Sequence, residues 1–172
     1  MTVGGALTSG VFDTGEGNGG SITIDTSTLT LENDGIINAS TTGKGNAGDI
    51  NIKARNITID QGGVDSFALG DGEGKGGNIN INTSNLTLKN GYITTDTYGK
   101  GNAGNIAIKA TQGVNVGGGL FSEVTATGEG NGGSITIDTS TLTLENDGII
   151  NASTTGKGNA GDINIKARNI TI

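Results

Sequence analysis

The stretch GEGNGGSITIDTSTLTLENDGIINASTTGKGNAGDINIKARNITI, residues 15–59, decides the fold. Apolar and polar residues alternate in short runs, with Ile22 and Ile24 inside Ser21–Asp25 and Leu29 and Leu31 inside Thr28–Glu32. A period of two is the mark of a half-buried strand. The DTS and NDG stretches between the runs are turn formers, and Asn and Gly tolerate positive φ there. Gly35–Ser40 supplies a third run, in which Ile36 is expected to face inward, with Asn38 and Ser40 in the same phase. Nothing keeps a 3.6-residue period for two turns, so no helix is expected.

Working outward, the decapeptide GEGNGGSITI at 15 returns as GKGNAGDINI at 43, GEGKGGNINI at 72, GKGNAGNIAI at 99, GEGNGGSITI at 128 and GKGNAGDINI at 156. The offsets are 28, 29, 27, 29 and 28, and residues 14–59 and 127–172 are identical over 46 positions. A fixed period of this length means a stack of supersecondary units. Three short strands and one Gly-rich corner per unit give an all-β, three-sided β-solenoid of about six coils of roughly 28 residues each. As one unit, it divides into 1–20 (partial), 21–48, 49–77, 78–104, 105–133, 134–161 and 162–172 (partial).

The phase carries along the chain. One inward stack is Ile24, Ile52, Ile81, Ile108, Ile137 and Ile165, each two residues after a partner such as Ile22 or Ile50. On the second face Leu29/Leu31 recur as Ile57/Ile59, Leu86/Leu88, Val114/Val116, Leu142/Leu144 and Ile170/Ile172. On the third face the stack is read as Ile36, Val64, Ile93, Leu120 and Ile149, followed inward by a polar ladder of Asn38, Ser66, Thr95, Ser122 and Asn151. Phe12, Phe67, Leu69 and Phe121 fall in the outward phase of that face, where exposed aromatics could hold a glycan or a neighbouring filament, unless a local bulge turns them inward.

Charges alternate with the coils. Glu16, Lys44, Glu73, Lys100, Glu129 and Lys157 occupy one corner position, and Asp25, Lys53, Asn82, Lys109, Asp138 and Lys166 the end of the first strand. Coils lie about 4.8 Å apart, so each acid is expected between bases, with Lys44 in reach of Glu16 or Glu73 and Lys157 of Glu129. Alternation inherited passively from duplication is the other reading.

Composition excludes much. There is no His, Cys or Pro among 172 residues, which removes the usual zinc ligands, any disulfide and every Ser–His or Cys–His pair. A net charge of −7 argues against nucleic acid. No apolar run approaches the roughly 20 residues of a spanning helix, and residues 1–15 do not read as a signal peptide. The sixfold G-x-G-x-x-G is followed each time by a strand, whereas a dinucleotide site needs a helix there. GDGEGKGGN at 70–78 and GNAGDINI at 45–52 lack the nine-residue period of calcium-binding repeats, which leaves Asp71, Glu73, Asp49 and Asp162 as incidental ligands at most. The Thr/Asn ranks of the second face, such as Thr28/Thr30 and Asn56/Thr58, are broken at Asn115 and Gly117, which weakens an ice-binding reading. No catalytic residue, metal site or cofactor is expected.

The segments GNAGDINIKARNITI (45–59) and STLTLENDGIINASTTGKGNAG (27–48), with their copies, resemble the repeat region of filamentous haemagglutinin-like proteins, the passengers of two-partner secretion, and most of all large cyanobacterial members. The resemblance covers nearly the whole chain. It implies a right-handed parallel β-helix, export to the cell surface or medium through an outer-membrane transporter partner, and a role as stalk or adhesin. The family's secretion domain carries an Asn-Pro motif, and this chain has no Pro, so it is expected to be a piece of stalk with Met1 an added start. The alternative is a binding module whose flat face takes ice, glycan or calcium. Since Ile172 falls in the same coil position as Val3, copies are expected to stack end to end.

Overall fold

In the computed structural model, residues 1–69 and 74–172 are described, and the expected position of Glu73 in the charge ladder and of Asp71 lies outside them. Strands are β1 (Thr2–Val3), β2 (Ala6–Thr8), β3 (Ile22–Leu31), β4 (Ile36–Asn38), β5 (Ile50–Asp60), β6 (Gly63–Asp65), β7 (Ile79–Thr94), β8 (Ile106–Phe121), β9 (Ile135–Leu144), β10 (Ile149–Asn151), β11 (Ile163–Lys166) and β12 (Asn169–Thr171). All pair in parallel with the strand one coil away, and no helix occurs among the described residues. The chain is a β-solenoid of about six turns.

The inward residues of the first two faces stay in register from coil to coil, with shifts confined to the turn between the faces at Thr83–Asn85 and Ala110–Gly113. Ile24 pairs with Ile52, Ile52 with Ile81, Ile81 with Ile108, Ile108 with Ile137, and Ile137 with Ile165. The first five are buried; Ile165 is exposed, because no further coil covers it here. On the second face Leu29, Ile57, Leu86, Val114 and Leu142 stack in the same way and are likewise buried. Identical apolar shapes at one spacing interdigitate along the axis, so each coil's burial is supplied by its neighbours rather than by itself.

The Gly-rich corner is where coils approach most closely. Gly45 sits at φ +132°, a conformation that side chains rarely adopt, and a Cβ there would collide with the Gly17 carbonyl of the preceding coil. Two asparagine-based ladders run beside it. Asn46 N–H donates to Asn18 Oδ1 (2.9 Å) and Lys75 N–H to Asn46 Oδ1 (3.0 Å). Likewise Asn78 N–H donates to Asp49 Oδ1 (2.8 Å), Asn105 N–H to Asn78 Oδ1 (3.0 Å) and Ser134 N–H to Asn105 Oδ1 (2.8 Å). Each side chain satisfies a backbone donor one coil on, at corners where the strand ladder is interrupted.

The third face corrects the sequence reading at both identical blocks. Ile37, not Ile36, pairs with Val64, and Ile150, not Ile149, pairs with Leu120; Ile36 is half-buried and Ile149 exposed. The inward polar ladder shifts likewise: Ser66, Thr95 and Ser122 are buried, but Ala39 and Ala152 fill the places expected for Asn38 and Asn151. The cause is the preceding corner. From the last inward residue of the second face to the first of the third, the chain takes six residues at Leu31–Ile37 and Leu144–Ile150, five at Ile59–Val64 and Leu88–Ile93, and four at Val116–Leu120. Left-handed residues track these lengths. Asn33 with Asp34 and Asn146 with Asp147 provide two, Gln61 and Asn90 one each, and Gly117–Gly119 none. Each adds one residue to the corner and reverses the face on which the following side chains emerge.

Candidate functional site on the third face of the central coils

The alternating ladders are ion pairs on the solvent surface. Lys44 Nζ lies 3.1 Å from Glu16 Oε1, Lys157 Nζ 2.8 Å from Glu129 Oε1, Lys53 Nζ 3.0 Å from Asp25 Oδ2, and Lys166 Nζ 3.9 Å from Asp138 Oδ2. Lys89 and Asp60 add a pair at 3.4 Å that the repeat reading did not single out. Lys100 stands in register with Glu129, whose carboxyl is held below its usual range by the hydrogen bond and charge of Lys157 first and by Lys100 second. Such pairs contribute a fraction of a kcal/mol up to about 1 kcal/mol each and are positional more than energetic.

Against that background the third face of the central coils stands out. Its outward positions form a grid. Along the chain the second coil offers Gly63, Asp65, Phe67 and Leu69, the third Tyr92, Thr94, Asp96 and Tyr98, and the fourth Gly119, Phe121, Glu123 and Thr125. Of the residues read in the outward phase, with an inward-turning bulge as the alternative, Phe12 and Leu69 are exposed and Phe67 and Phe121 half-buried. Tyr92 lies over Gly63 of the coil before, and Phe121 over Gly119 of its own strand; any side chain at either glycine would collide with the ring. Phe67 and Tyr98 meet edge to face with centroids 6.1 Å apart.

Three carboxylates lie among these rings, and the sequence reading named none of them. Asp65 is only 4 % exposed and Asp96 only 9 %, with Glu123 half-buried beside them. Asp96 Oδ1 accepts the Glu123 N–H at 2.8 Å, Glu123 Oε1 accepts the Ser153 hydroxyl at 3.1 Å, and the Tyr92 hydroxyl donates to Asp65 Oδ2 at 3.5 Å. Asp65 Oδ1 is buried and has no hydrogen-bond partner among the described residues. Burial pushes the Asp65 carboxyl up to about 7, the Tyr92 hydroxyl offsetting part of this and the charge of Asp96 adding to it. Burial likewise raises Asp96 and Glu123. Tyr92 and Tyr98 are raised too, by burial first and then by the surrounding acids, Asp65 for Tyr92 and Asp96 for Tyr98. None of the five ion pairs among the described residues includes Asp65, Asp96 or Glu123.

One sequence signal marked this place: residues 60–126 lie between the duplicated blocks, and Asp65, Asp96 and Glu123 replace the Asn38, Ser40, Asn151 and Ser153 of the repeated face. What the alternation could not reveal was their burial, since Asp65 and Asp96 stand at outward positions and yet are 4 % and 9 % exposed. Among the described residues no three acidic side chains converge as a metal site would require, and Asp49 is engaged instead with Asn78. A surface depression of about 320 Å³, lined by Asp34, Ile36, Gln61, Gly62, Asn90 and Tyr92, adjoins the patch at the left-handed corners.

No family model, curated protein or solved structure matches this chain.

Proposed function

We propose that these coils are a length of stalk in a secreted or cell-surface filamentous adhesin of the filamentous haemagglutinin-like kind, holding other parts of that protein away from the cell and performing no catalysis. The observation that supports this is the parallel strand pairing that carries from Thr2 to Thr171 with local register shifts near Thr83, Lys89 and Ala110: about six coils at roughly 4.8 Å per coil make a rod in which each described strand pairs with its counterpart one coil away. Such a fold lengthens by adding coils, at a nearly constant contribution from each new interface. The repeat resemblance adds export through an outer-membrane transporter as the route to the surface. End-to-end stacking of copies belongs to the same reading, since Ile172 follows Thr171 in a register that leads back through Leu144 and Leu31 to Val3.

Antibodies raised against the 172-residue polypeptide test the proposal on cells that make the parent protein. They are expected to label unpermeabilised cells or the medium, on filaments visible by electron microscopy. Labelling that requires permeabilisation would overturn it.

A further inference from the structure

On the exposed charge ladders the next coil supplies a lysine: Glu16 has Lys44, Asp25 has Lys53, Asp60 has Lys89, and Glu129 has Lys157, while Asp49 is met by Asn78. On the third face the rule fails. Asp65, Asp96 and Glu123 occupy three successive coils, and among the described residues the groups facing them are one another, the hydroxyls of Tyr92, Thr94 and Ser153, and Asp34 beyond the Tyr92 ring. Like charges at this spacing repel, and buried acids without a cation are costly unless protonated. The place therefore has a surplus of negative charge, a carboxylate oxygen with no partner among the described residues, and two tyrosines more than a third exposed.

We propose that this patch receives a lysine or arginine side chain from a partner polypeptide, seated against Tyr92 and Tyr98 with its charge toward Asp65, Asp96 and Glu123. A ring face attracts a cation and packs against its aliphatic stem, and a guanidinium or ammonium supplies the donors that Asp65 Oδ1 lacks. The depression beside Tyr92, with Asp34 on its wall, gives the stem room. A metal ion fits less well, since no three acids converge on one point among the described residues. A neutral sugar would leave the charge surplus in place. Because the acids are raised by burial, cation binding must release protons, and affinity must climb with pH through the range where Asp65 ionises. This goes beyond the stalk reading and does not depend on it.

The chain itself provides the reporter. It has two tyrosines and no tryptophan, and both tyrosines lie in the patch, so intrinsic emission reads this site alone. Titration of acetyl-tetraarginine amide into the whole polypeptide at low salt and pH 8 is expected to give a saturable change in tyrosine emission. The apparent affinity should fall about tenfold or more at pH 5, and by a similar factor at pH 8 in the double variant Asp65→Asn, Asp96→Asn, checked for native circular dichroism. Glu129→Gln, on the exposed corner ladder, should bind within about twofold of the parent. Equal weakening by Glu129→Gln, or no weakening by the double variant, would make the binding diffuse attraction to an acidic protein and overturn the proposal. So would the absence of saturation, or a saturable response to uncharged cellotetraose that exceeds the response to the peptide.

Discussion

Residues 14–59 and 127–172 are the same sequence in two places, and they do not have the same structure energetically. Ile50 is fully buried, whereas its counterpart Ile163 is 45 % exposed; Ile59 is fully buried, whereas Ile172 is 92 % exposed. The Asp25–Lys53 pair spans 3.0 Å and its copy Asp138–Lys166 3.9 Å. Nothing local distinguishes the copies. Ile50 and Ile59 in the first block have strands on both sides, whereas Ile163 and Ile172 in the second have one on a single side, so burial belongs to the interface between coils and not to the sequence of either. Residues 60–126, between the blocks, differ in another way. There the acids of the third face lie over acids and rings, while the ladders of the blocks put acid over base.

The largest test of the first contrast is one substitution made at both copies. Ile52→Ala should lower stability by about 3 kcal/mol, the scale of a cavity opened in a packed core, while Ile165→Ala should cost less than about 1 kcal/mol. Denaturant midpoints measured at matched slope decide it, and equal costs would mean that the end coil is covered in solution. The contrast between acids over bases and acids over acids is sharpened by Asp65→Asn. With the folded carboxyl at about 7 against 3.8 in the unfolded chain, the parent has its full stability below about pH 4 and loses it as pH rises through 7. The Asn variant should thus match the parent at pH 4 and exceed it by about 1–3 kcal/mol at pH 8. A variant less stable than the parent at pH 8 would show that the Tyr92–Asp65 contact outweighs the burial of charge. The smallest effect is expected at the exposed ladder. Lys44→Glu should cost no more than about 1 kcal/mol in dilute buffer, and most of that should vanish near 1 M salt, where charges are screened within about 3 Å. A melting temperature unchanged in dilute buffer would leave the alternation without energetic consequence.

Much of the fold was legible because a repeat states the same pattern six times. Alternation at Ile22/Ile24 and Leu29/Leu31, carried forward at 28-residue spacing, places both inward stacks and brings Lys44 to Glu16 and Lys157 to Glu129. The third face was legible only in the central coils. Alternation gives the two faces of a strand but not which face starts inward, and that was lost at the six-residue corners, where Asn33 with Asp34 and Asn146 with Asp147 both turn left-handed. NDG announces a turn without stating how many of its residues take positive φ.

The sequence by itself determined the period, the parallel stacking and the pairing of charge with charge, because each depends only on which residue recurs one coil later. The tertiary structure decided the phase of the third face and the chemistry found there. The phase depends on how many corner residues turn left-handed, which is two at Asn33–Asp34, one at Gln61 and none at Gly117–Gly119. The state of Asp65 is set by its burial first and then by Tyr92 and Asp96, which lie 27 and 31 residues away along the chain and one coil away in space.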